Sequence, residues 1–137
     1  MLNPYFITGL LSGEGIFTYT TMGGNVYPYF ALKASVADTA LLEKVRGFWG
    51  GAGTIYKTPP NILLKVFRME ELMKLVWHFG DYQLEGKKAE AFKVWKEMVM
   101  IKTVNRKEDW PKLHDLAANL TKANGGKIKR PRKKRAQ

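Results

Sequence analysis

The stretch Ile7-Thr8-Gly9-Leu10-Leu11-Ser12-Gly13-Glu14-Gly15 holds the residues best placed to do chemistry. Its apolar spacing predicts a helix that stops at Gly13-Glu14-Gly15, which leaves a carboxylate at a helix C-terminus. The helix dipole is negative there, so the charge costs about 0.3–1 kcal/mol. Gly9 and Gly13 lie four residues apart and therefore share one helix face. Lacking Cβ atoms, they admit a second backbone at close range, at a cost of about 0.5–1 kcal/mol each in helix stability. Two such helices packed as a pair bring two Glu14 carboxylates together. A divalent cation between them relieves the repulsion, and oxygen-only ligands suit Mg2+. The plainer alternative is a glycine-terminated helix with a solvated acid.

Other residue types narrow the chemistry. The chain has no Cys, which excludes a disulfide scaffold, a thiolate metal site and a Cys nucleophile. His78, between Trp77 and Phe79, and His114, after Leu113, read as packing residues rather than catalysts. The run Gly50-Gly51-Ala52-Gly53 lacks the following Gly-Lys-Ser/Thr of a phosphate loop and reads as a turn. Trp49, Trp77, Trp95 and Trp110 fall on apolar helical stripes and are expected in the core. Glu70 and Glu71 open a helix, where acids complement the dipole.

The elements that must position Glu14 follow from periodicity. Asn3 and Pro4 suit the cap and first position of a helix that takes in Phe6, Ile7, Leu10 and Leu11. Strands are expected at 16–21 and 26–36, joined by Gly23-Gly24-Asn25. Asp38 caps a second helix with Leu41, Leu42, Val45, Phe48 and Trp49 on its apolar positions. Strands follow at 54–57 and 62–68 around Pro59-Pro60-Asn61, then helices at 70–79, from Lys87, and at 109–123. The order is αββαββα with an extra C-terminal helix, an α+β arrangement with helices on one side of a four-stranded sheet. Phe30 and Leu32 alternate with Tyr29, Ala31, Lys33 and Ser35, so one sheet face stays open. Thr18, Thr20, Thr54, Tyr56 and Lys65 are expected on the same open side, which suits a nucleic-acid groove.

The 137 residues suit one domain, and 45% hydrophobic content supports a packed core. We expect a domain over 1–124 and a basic, flexible tail over 125–137. Of 23 Lys and Arg residues against 12 acids, seven fall in the tail: Lys127, Lys129, Arg130, Arg132, Lys133, Lys134 and Arg135. The formal charge is +11, of which only +4 belongs to residues 1–126. A mildly basic body with a strongly basic tail points to a polyanionic partner, nucleic acid first. No apolar run reaches the roughly 20 residues needed to span a bilayer. The first fifteen residues, with no Lys or Arg, read as neither a signal nor a transit peptide.

The Ile7–Gly15 stretch resembles the signature of the LAGLIDADG homing endonucleases. The resemblance extends over about residues 4–102. It includes Phe48-Trp49-Gly50-Gly51-Ala52-Gly53-Thr54-Ile55 and Phe79-Gly80-Asp81-Tyr82-Gln83-Leu84-Glu85-Gly86-Lys87-Lys88. It implies a homodimer packed through Gly9, Ser12 and Gly13, with Glu14 and the backbone of Gly13 at a shared Mg2+ centre. It further implies that Lys87 or Lys88 is the basic residue beside that centre, the choice between them being open. The implied reaction is metal-dependent double-strand cleavage of a long DNA site, and the implied home is an organelle, mitochondrion or chloroplast. Ser12 stands where the family often has a second acid, and Ala34 near a position that is often polar. Together with the basic tail and a reading face poor in Arg, Gln and Asn, they motivate an alternative. In it, the fold is catalytically idle and serves as an RNA-binding factor, on ribosomal or intron RNA. A regulator that binds DNA without cutting is a third possibility.

Overall fold

The structure, a computed structural model, describes residues 2–125, so the seven basic tail residues from Lys127 to Arg135 lie outside the described residues. Helix α1 (Pro4–Glu14) starts where the Asn3 side chain accepts the Tyr5 N–H at 2.8 Å, with Pro4 in the first turn. It runs into strand β1 (Gly15–Met22) with no residue between them. That junction requires glycine, because a Cβ on Gly15 would lie 2.8 Å from the Leu11 carbonyl oxygen. The turn to β2 (Asn25–Ser35) uses Gly23 and Gly24 at φ 59° and 82°, the pair of positive values that a two-residue hairpin turn needs.

The remaining elements are α2 (Thr39–Phe48), β3 (Thr54–Thr58), β4 (Asn61–Val66), α3 (Met69–Asp81), α4 (Lys87–Val104) and α5 (Trp110–Ala123). The strands form one antiparallel sheet in the order β1-β2-β4-β3. Residues directly opposite in the register share a face. Phe17, Phe30 and Val66 lie in one row facing the helices, and Leu32, Leu64 and Ile55 in the next. Phe17 is fully buried, with Phe30, Phe79, Phe92 and Trp95 at ring-centroid distances of 5.0–5.5 Å. One side chain thus ties β1 and β2 to α3 and α4, and burial of a ring this size is worth about 1.5–3 kcal/mol.

Helices close the β1 edge of the sheet and the point where the β2–β4 ladder stops. Asn124 donates to the Phe17 carbonyl at 2.8 Å and Tyr19 pairs with Thr121 at 2.9 Å, so α5 lies along the edge of β1. The β2–β4 pairing stops at Phe30↔Val66, and the next β2 carbonyl, that of Tyr29, accepts from the Trp95 indole at 2.9 Å.

Several expectations are corrected. β2 ends at Ser35, not residue 36, because the Ser35 hydroxyl caps a 3-10 turn (Val36–Asp38) by accepting the Ala37 N–H. Asp38 occupies the capping position of α2 without making a cap hydrogen bond. β4 ends at Val66, and Arg68 precedes α3. Trp77 is 64% exposed, since Leu72, Leu75, Val76 and Phe79 form the buried stripe and position 77 falls opposite it. His114 is exposed for the same reason beside Leu113, Leu116, Ala117 and Leu120, and Trp110 is half-buried. Ala31 belongs to the open side by register yet is buried, its single methyl lying below the larger neighbours in its row.

Candidate active site and nucleic-acid interface

Glu14 ends α1, is exposed, and forms no ion pair among the described residues. The half-buried Lys88 reaches the same junction from α4 and donates to the carbonyl of Gly15. Lys87 is exposed and makes no such contact, being rotated about 100° around the helix from its neighbour. Both lysines also line a surface depression of about 340 Å3 with Lys122 and Asn124.

The outward side of α1 is unusual for a helix in a small domain. Ile7, Thr8 and Leu11 are buried, while Tyr5 and Phe6 are 65% and 42% exposed. Between them and Glu14, Gly9 and Gly13 are also exposed, with nothing within 4 Å of where a Cβ would stand. The third residue expected in this stripe behaves differently. Ser12 is half-buried and its hydroxyl donates back to the Thr8 carbonyl at 2.7 Å.

A buried polar chain fixes the opposite side of α1. The Thr8 hydroxyl donates its one proton to the Tyr82 carbonyl at 2.8 Å, so it must accept from His78 Nε2, 3.2 Å away. The Trp49 indole can only donate, and it faces His78 Nδ1 at 3.3 Å. His78 is therefore neutral with its proton on Nε2. Burial pushes its pKa below the ordinary 6.5, partly offset by the Pro4 carbonyl and Asp81. His78 is a packing residue, as expected, but it also joins α1, α3 and the end of α2 through hydrogen bonds. The glycine turn beyond α2 is pinned as well: Gly53 N–H donates to Glu71, Arg46 to the Gly53 carbonyl and Lys74 to the Trp49 carbonyl.

The open sheet face is as expected. The register places Ile16, Ala31, Lys65 and Thr54 in one row, Thr18 opposite Tyr29, Thr20 opposite Tyr27, and Lys33 beside Leu63 and Tyr56. All seven strand residues expected on this side (Thr18, Thr20, Tyr29, Lys33, Thr54, Tyr56 and Lys65) therefore share it. Sequence reasoning missed Ile16, Leu63 and Phe67, the last stacked on Tyr29 at 4.8 Å. Lys65 lies 5.6 Å over the Tyr56 ring. Ala34 is on the helix-facing side, opposite Ile62 and packed on the core.

The donor set at the junction fits a hard, oxygen-binding cation. Glu14 offers an exposed carboxylate, and the Gly13 carbonyl lies in the last helical turn, where intrahelical donors run out. Among the described residues no three His, Cys, Asp or Glu side chains converge on one point.

Fold and site together define one αββαββα module with a carboxylate at a helix-to-strand junction and an open four-stranded sheet. The family model described as "LAGLIDADG endonuclease" matches residues 7–99, and the chain belongs to that family. It is 28% identical over 136 residues to "Probable intron-encoded endonuclease 2" of Neurospora crassa, covering 91% of this chain and 30% of that protein. The LAGLIDADG meganuclease I-AabMI, solved bound to uncleaved DNA, superposes with a TM-score of 0.80 at 26% identity, over 95% of this chain and 52% of that one. The homing endonuclease I-TnaI shares the fold at a TM-score of 0.78 and 24% identity, over 90% of this chain and 97% of that chain. The chain thus spans less than a third of the Neurospora protein and about half of the meganuclease.

Proposed function

We propose that this chain cuts duplex DNA as one half of a paired endonuclease, with two copies meeting through α1. The carrying observation is Glu14, exposed at the α1–β1 junction beside Lys88, on a helix whose outward glycines leave room for a partner. Pairing across Gly9 and Gly13 buries Phe6 and brings two Glu14 carboxylates toward the shared axis, a symmetric arrangement that acts on both strands. Glu14 and the Gly13 carbonyl are the residues that would hold a divalent cation, Mg2+ in this reading. When bound there, such an ion would supply Lewis-acid polarisation at the scissile phosphate. Lys88 is held by Gly15 where its charge opposes the charge developing on the phosphate. The open sheet lies along the major groove, and the basic tail adds phosphate contacts. The endonuclease names of the relatives and the DNA-bound state of I-AabMI support the duplex substrate, and intron-encoded relatives support residence in an organelle.

The test is selection of cleaved molecules from a randomised duplex library in Mg2+, followed by Glu14→Gln on the recovered site. Cleavage should fall to background while duplex binding stays within about twofold, since the exposed carboxylate contributes to no packing. Lys88→Met should slow cleavage far more than Lys87→Met. Undiminished cutting by Glu14→Gln, or recovery of no cleaved duplex, refutes the proposal.

A further inference from the structure

We infer that the DNA under this sheet is rich in A·T pairs and is recognised chiefly through thymine methyl groups. The inference rests on the duplex-DNA reading above. In the major groove, guanine is read by Arg or Lys, adenine by Asn or Gln, cytosine by Asp or Glu, and the thymine methyl by apolar side chains. The four strands, Gly15–Met22, Asn25–Ser35, Thr54–Thr58 and Asn61–Val66, contain no Arg, Gln, Asp or Glu. The sheet thus lacks the acids that suit cytosine and the arginines that suit guanine, leaving lysines, hydroxyls and the two asparagines Asn25 and Asn61 as its polar readers.

What the open face offers instead is carbon. Ile16 is 40% exposed and Tyr56 is 45% exposed on it, with Leu63 half-buried between Lys33 and Tyr56. The opposite side of the same strands is spent on the core, and on the open side Ile16 and Tyr56 keep much of their carbon surface in water even with Lys65 over the Tyr56 ring. Pressed on the edge of a G·C pair, they would strip water from base donors and acceptors and return no hydrogen bond. Pressed on thymine, they meet the one apolar group that edge presents. Lys65, with its ammonium over the Tyr56 ring, is the guanine-type reader in that row of the face.

The experiment captures duplexes from a randomised library on the purified full chain, with Ca2+ in place of Mg2+ so that no strand is cut. The expected result is enrichment of thymine-rich positions. Deoxyuridine in place of thymidine at those positions should then weaken binding about fourfold per methyl contacted. Ile16→Ala, a change at an exposed side chain, should reduce that sensitivity. Selected duplexes rich in G·C, or affinity unchanged by deoxyuridine, would overturn the inference while leaving duplex DNA as the ligand. Enrichment of no duplex at all would overturn the reading on which it rests.

Discussion

Replacing Thr8 by Val tests the account of how α1 is held. Val has nearly the shape of Thr, so the packing of this buried residue is retained and the hydroxyl alone is lost. Two groups are then stranded: the His78 Nε2–H, which donated to Thr8 over 3.2 Å, and the Tyr82 carbonyl, which accepted over 2.8 Å. A buried polar group left unpaired costs about 1–3 kcal/mol. His78 is 6% exposed and takes the middle of that range, while the half-buried Tyr82 takes the lower end. The sum is about 3 kcal/mol, or a fall in Tm of about 12 °C for a domain of this size. Urea unfolding at pH 8 measures it directly, with an unchanged m-value showing that the denatured state is not responsible. A variant within about 0.5 kcal/mol of the parent would refute the hydrogen-bonded chain from Trp49 to Tyr82.

Three further outcomes follow. His78 has a folded pKa below its unfolded 6.5, so its contribution is fully present above 6.5 and is lost as pH falls from there through the folded value. A His78→Phe variant should show a flatter stability profile over that window by pH-jump unfolding, though a lower stability at pH 8. Gly9→Leu adds a side chain where the single chain has open space, so each copy should still fold, with a helix-propensity gain of up to about 1 kcal/mol set against the stability lost with the pairing. Sedimentation should show loss of the proposed dimer, and an unchanged dimer would remove α1 as the interface. Ending the chain at Gly125 deletes seven positive charges, and the slope of log K against log salt for duplex binding should shrink by up to about 6. An unchanged slope means that the tail touches no phosphate.

What could be read from the sequence was whatever short-range chemistry controls. The Phe30/Leu32 alternation gave the sheet's two faces, and Gly23-Gly24 the hairpin, because side-chain period and positive φ are local properties. The errors came from residue type overruling position. Trp77 is expected in the core as part of an apolar helical stretch, although the Leu72, Leu75, Val76 and Phe79 stripe already places residue 77 on the far side. His114 followed the same path. The link between Thr8, Trp49 and His78 was out of reach, since it joins residues about 30 to 70 positions apart that no pattern pairs. The choice between Lys87 and Lys88 depends on which of two adjacent side chains faces β1, a matter of helix phase fixed by packing.

The absence of any connecting residue between Glu14 and Gly15 has a mechanical meaning. The acid is the last residue of one element, and the next is the first of the strand proposed to touch the groove. There is no slack in such a coupling: a tilt of the sheet on a poorly fitting duplex swings the carboxylate off its target by a comparable amount. An error of 1 Å in placing a reacting group costs about a hundredfold in rate. In the proposed reading, fidelity is therefore enforced at the cutting step by rigid leverage, even on a duplex the sheet has already gripped.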